Sequence, residues 1–139
     1  MIRDLISFAR SPSAASFAAV PFADRVGLGL AEKIVITRPA NELAQQSAWL
    51  LTHAVPFRAH IGPQSALALL RTSGVTTVSV GPHQHCASPP VAAPSGFDGH
   101  RRVSVQPTGI DTCILWWTVD LFVADSGRIE AVTLDLWEP

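Results

Sequence analysis

The sequence predicts an α+β fold in which N-terminal helices pack on one face of a curved antiparallel sheet ending in a long C-terminal hairpin. Three observations lead there. Helical patterning is concentrated ahead of a run of strand-like segments, the order expected when helices segregate to one face of an antiparallel sheet. The stretch from Cys113 to Trp137 alternates with period two on both sides of a turn at Asp125-Ser126-Gly127. No internal repeat or boundary interrupts the 139 residues, a length that suits one domain burying about 70% of its unfolded surface.

Taken in order, Ile2 to Ala9 places Ile2, Leu5, Ile6 and Ala9 on one side of a short helix. Ser11-Pro12 reads as an N-cap followed by proline at the first helical position, opening a second helix over residues 13–20 that Pro21 ends. Val26, Leu28 and Leu30 alternate with Gly27 and Gly29 in a strand over Arg25 to Leu30. Ala31-Glu32-Lys33 turns it into Ile34-Val35-Ile36, and Pro39 stops the hairpin. Asn41 caps a moderately amphipathic helix over Glu42 to Thr52, and Gly62-Pro63 opens another with Leu67, Leu69 and Leu70 before Gly74. Thr76 to Val80 is a short β-branched strand. Residues 81–99 hold Pro82, Pro89, Pro90, Pro94, Gly96 and Gly99, which marks the longest irregular segment, and loops of that length are often functional. Arg101 to Gln106 sets Val103 and Val105 against Arg102, Ser104 and Gln106, and Pro107 to Asp111 turns the chain into the final hairpin.

In that hairpin Cys113, Leu115, Trp117, Val119, Leu121 and Val123 form one apolar face. The return strand switches parity, with Val132, Leu134 and Leu136 as its apolar set. These sets meet only if opposing residue numbers sum to an odd value, pairing Leu121 with Val132, Val119 with Leu134 and Trp117 with Leu136. An even-length loop, Ser126-Gly127 or Asp125 to Arg128, satisfies this. The other face then pairs Trp116 with Trp137, Thr118 with Asp135, Asp120 with Thr133 and Phe122 with Ala131, and Ile129 belongs to it by parity. Any function of the sheet is expected on this mixed face.

Two helices, two strands, further helices and a four-strand meander make an element order that resembles the cystatin-like α+β roll of the nuclear-transport-factor-2-like superfamily. The resemblance rests on element order and the terminal hairpin. It implies a fold shared by enzymes, ligand carriers and interaction modules, and so it does not specify an activity.

Composition narrows the function classes. A formal net charge of −1 gives no electrostatic footprint for nucleic acid or an anionic membrane. Lys33 is the only lysine, which points to a GC-rich genome rather than an arginine-built binding site. No run approaches the ~20 apolar residues of a membrane helix. Arg3, Asp4 and Arg10 make the N-terminus a poor signal peptide, so a cytoplasmic location is expected. Two cysteines allow a single bridge, Cys86–Cys113, but in that compartment both are expected as free thiols.

Among candidate sites, Gly27-Leu28-Gly29-Leu30-Ala31-Glu32 lacks the third glycine of a dinucleotide fingerprint and reads instead as a strand in close approach to a helix or second backbone. No cofactor is expected. His83 and His85, two apart, could share a zinc if the backbone is extended, with His100 or Asp111 as a third ligand; a surface loop that happens to hold histidines is the simpler account. Asp120 and Asp135 are diagonal neighbours with Cα atoms about 7–8 Å apart. They suit acid–base chemistry on a small hydrophobic ligand, unless they pair with Arg101, Arg102 or Arg128. Arg102 would share their face if its strand adjoins the hairpin. Trp116, Phe122 and Trp137 suggest aromatic anchors at an interface, most simply a homodimer, or the walls of a pocket. The expectation is a binding or interaction domain using Arg102, Trp116, Thr118, Asp120, Phe122, Thr133, Asp135 and Trp137.

Overall fold

The computed structural model describes residues 1–51, 65–71, 76–82, 89–109 and 113–136. Helices α1 (Ile2–Arg10) and α2 (Ala14–Ala18) precede the hairpin β1 (Phe22–Leu30) and β2 (Lys33–Pro39). Two 3-10 turns, Ala40–Ala44 and Gln46–Trp49, then α3 (Ala66–Arg71), lead to β3 (Thr76–Val80) and β4 (Arg101–Pro107). A 3-10 turn at Cys113–Leu115 introduces β5 (Trp117–Val123) and β6 (Ile129–Leu136). The strands form one six-stranded sheet in the order β2-β1-β6-β5-β4-β3. The fold is α+β, with the expected meander from β3 to β6. The sheet is only mostly antiparallel, because β1 lies parallel to β6.

The terminal hairpin has the register that parity demands. Trp117 pairs with Leu136, Val119 with Leu134 and Leu121 with Val132, while Thr118 pairs with Asp135, Asp120 with Thr133 and Phe122 with Ala131. The loop, however, is not even. Ala124 N–H donates to Arg128 C=O and Gly127 N–H to Ala124 C=O, enclosing three residues, with Gly127 at φ +82°. A three-residue loop alone would slip the register by one. A bulge between the Phe122–Ala131 and Val123–Ile129 pairs, with Glu130 as the extra residue, restores it. The same bulge moves Ile129 off the mixed face: it pairs with Val123 and is fully buried in the main core.

That core lies on the face defined by Val119, Leu121, Val132 and Leu134, extended by Val103 and Val105 of β4 and Val26 and Leu28 of β1. α3 packs on β5 and β6, and α1 packs on α3. Leu5, Phe8 and Ala9 of α1 and Leu67, Leu69 and Leu70 of α3 are the buried faces. Trp49 is 1% exposed and satisfies its indole by donating Nε1–H to Leu43 C=O at 2.9 Å. The helix expected from Glu42 is therefore replaced by two tight turns, which swing Leu43, Ala48 and Trp49 inward together. The α2 cap also differs: Ser13, not Ser11, accepts the N–H of Ser16.

Gly29 explains the glycine-rich strand. A Cβ there would overlap the Lys33 carbonyl, so β1 and β2 can approach across their own bulge only with glycine at this position. At the other hairpin, Cys113–Leu115 is a turn rather than strand, and Leu115 is 62% exposed instead of facing the core. Cys113 is disulfide-bonded, which corrects the expectation of free thiols; Cys86 lies outside the described residues. No helix among the described residues is long and apolar enough to cross a membrane.

Candidate functional site

The mixed face is built by three neighbouring strands. β4 contributes Arg102 and Ser104, β5 contributes Thr118, Asp120 and Phe122, and β6 contributes Ala131, Thr133 and Asp135. Pairing sets Arg102 opposite Phe122 and Ser104 opposite Asp120. All eight are buried, none more than 8% exposed, yet none belongs to the main hydrophobic core. The sheet thus separates an apolar core from a second buried layer in which polar groups dominate.

Burying charge requires pairing and hydrogen bonds, and Asp120 has both. Arg102 Nη2–H donates to Asp120 Oδ2 at 2.6 Å and Nε–H to the same oxygen at 3.2 Å. Thr118 Oγ1–H donates to Asp120 Oδ1 at 3.1 Å. The guanidinium carbon sits 5.5 Å from the Phe122 ring centroid, within cation–π range. Of the ion-pair alternatives for Asp120, the structure selects Arg102. Asp135 sits on the same face beside Thr118, 8% exposed. Ser104 Oγ is buried with no hydrogen-bond partner among the described residues.

A segment with no strand or helix of its own, residues 89–100, reaches this layer at two points and the adjoining bulge at a third. Val91 C=O accepts a hydrogen bond from Arg102 Nη1 at 2.6 Å. The Phe97 ring lies 5.9 Å from Phe122 and 4.9 Å from the His100 imidazole, centroid to centroid. His100 Nε2 lies 2.6 Å from Glu130 Oε2; a carboxylate only accepts, so this bond places a proton on Nε2. Glu130 is the bulge residue, and its side chain meets the 89–100 segment because the bulge sets it apart from the pleat. The segment holds its shape by turns: Phe97 N–H donates to Pro94 C=O with Gly96 at φ +90°, and His100 N–H donates to Phe97 C=O.

Between this segment and the sheet is a cavity of about 530 Å³, within the roughly 300–1,000 Å³ typical of small-molecule sites. Val80, Pro82, Pro90, Val91 and Phe97 supply apolar wall, Phe122 and Arg102 the sheet side, and His100, Arg101 and Asp98 further polar edges. Of the described residues expected on the mixed face, Arg102 and Phe122 line it, and His100, the candidate third metal ligand, lies at its edge. Thr118, Asp120, Thr133, Asp135 and Trp116 are buried but do not line it. Trp137, His83, His85 and Asp111 lie outside the described residues. Among the described residues no three His, Cys, Asp or Glu side chains group to hold a metal.

Val91, Phe97 and Glu130 escaped sequence reasoning. The Pro-Ser-Gly signal at residues 94–96 predicts a turn but not what the turn packs against. Comparison with protein-family models, curated proteins and solved structures found no significant match.

Proposed function

We propose that the chain is a small-molecule-binding domain that takes an apolar ligand into the cavity between residues 89–100 and the mixed face of the sheet. The observation that carries this is a cavity of ligand size whose walls are mostly proline, valine, alanine and phenylalanine and whose sheet side presents a buried arginine. A few placed polar groups in an apolar hollow is the usual composition of such sites. Self-association through this face has less support: Trp116 and Phe122, the aromatic anchors it would use, are 8% and 1% exposed within a single chain. Asp120 and Asp135 as acid and base are also less favoured, because both Asp120 oxygens are engaged by Arg102 and Thr118.

The test is amide-resolved NMR of the wild type against a panel of apolar fragments. Shift changes should centre on residues 80, 81, 91–93, 97, 102 and 122. Ala93→Trp, which places a large ring in the cavity wall, should abolish them without changing the melting temperature by more than a few degrees. Fragments that bind elsewhere, or none that bind, would sink the proposal.

A further inference from the structure

Resting on that cavity, we infer the class of its ligand: an apolar molecule ending in a single carboxylate, which Arg102 binds through N–H groups left unused among the described residues. A guanidinium carries five N–H donors. Among the described residues Arg102 spends three of them, on Asp120 through Nε and Nη2 and on Val91 C=O through Nη1. One N–H on each terminal nitrogen is left over, on a side chain only 8% exposed that lines the cavity. A buried donor without an acceptor is costly. The planar fork of arginine matches the two oxygens of a carboxylate.

The rest of the lining favours one carboxylate over a phosphate. Phosphate recognition at a loop calls on clustered backbone N–H groups. Here Pro82 and Pro90 have no N–H to give, and the wall around them is hydrocarbon. Arg101, exposed at the same cavity, has no ion-pair partner among the described residues, and Asp98 is the one acid in the lining. Asp120 stands behind Arg102 rather than in the cavity, so it holds the guanidinium in place without occupying the position of the incoming anion.

Matched probes decide it: hexanoate against 1-hexanol, and 1-naphthoate against 1-naphthylmethanol, titrated into the wild type by NMR and calorimetry. Each acid should bind about tenfold or more tighter than its alcohol. The gap should close in an Arg102→Met/Asp120→Leu double variant, which removes both charges and so avoids stranding either. Equal binding of acid and alcohol to the wild type would overturn the inference while leaving the cavity proposal standing. An undiminished gap in the double variant would place the carboxylate elsewhere and overturn it too. Failure of every probe to bind would overturn the cavity proposal, and this inference with it.

Discussion

Arg102 Nη2 stands 2.6 Å from Asp120 Oδ2 across neighbouring strands, and the two side chains are 8% and 3% exposed. Such a pair contributes little over an apolar replacement of the same shape, yet breaking it strands a charge. Asp120→Ala should therefore cost about 3–5 kcal/mol in urea unfolding. The double variant Arg102→Met/Asp120→Leu should cost far less than the two single changes summed. Additive losses would mean that the two side chains do not act as a pair.

Gly29 and Gly27 make an internal contrast on one strand. Alanine at 29 would drive its methyl into the Lys33 carbonyl, which belongs to the partner strand's backbone and cannot turn aside. The atoms nearest an alanine methyl at 27 all belong to the Ile34 side chain, the first at 3.2 Å. We expect Gly29→Ala to lose about 2 kcal/mol or more and Gly27→Ala to lose about 1 kcal/mol or less. Chemical denaturation of both variants checks the order, and a reversed order would contradict the close approach.

At the hairpin tip, Gly127 has φ +82° and open space where a Cβ would go, so backbone strain alone resists substitution. Gly127→Ala should cost about 1–2 kcal/mol, and Gly127→Asn less, since asparagine tolerates the left-handed region. Equal losses in both variants would implicate packing instead.

This tip shows what the sequence made legible and what it hid. Parity along Val119, Leu121, Val132 and Leu134 determined the register, because one face had to meet the core. It could not separate an even loop from an odd loop with a bulge, since both give the same pairing beyond Phe122. Ile129 was misplaced for that reason alone. Parity likewise put Arg102 on the face of Asp120 once β4 was placed next to β5, but left Arg101, Arg102 and Arg128 open as its partner. Nothing periodic marked Phe97 or His100, whose partners Phe122 and Glu130 are distant in sequence and meet them only through folding. The mixed face was expected at an interface because its own strands show no cover; over Arg102 and Phe122 the irregular 89–100 segment supplies one. Leu43 and Trp49 looked helical in spacing, but tertiary packing of Trp49 overrode a weak local preference.

Cys113 is disulfide-bonded. Alkylation of the unfolded, unreduced protein should label no cysteine, whereas after reduction both cysteines of the sequence should react. Reduction should lower stability by about 2–4 kcal/mol, the usual contribution of a cross-link. Thiol labelling before reduction would contradict the bond.

Residues 89–100 are held to the sheet by three separate ties: Val91 C=O on Arg102, the Phe97 ring on Phe122, and His100 on Glu130. Glu130 is 40% exposed, so the third tie is worth little to global stability. Its loss should still release one end of the segment, because local opening depends on local contacts rather than on the total. Glu130→Gln removes the charge but keeps the length, and Phe97→Ala removes the ring contact. In Glu130→Gln we expect amide exchange at Phe97 to His100 to quicken severalfold, with unfolding free energy changed by less than about 1 kcal/mol. Phe97→Ala should act more strongly on the same amides, while Leu121 and Leu134 in the core strands stay protected in both. Uniform acceleration across β5 and β6 would mean that the segment and sheet open as one unit.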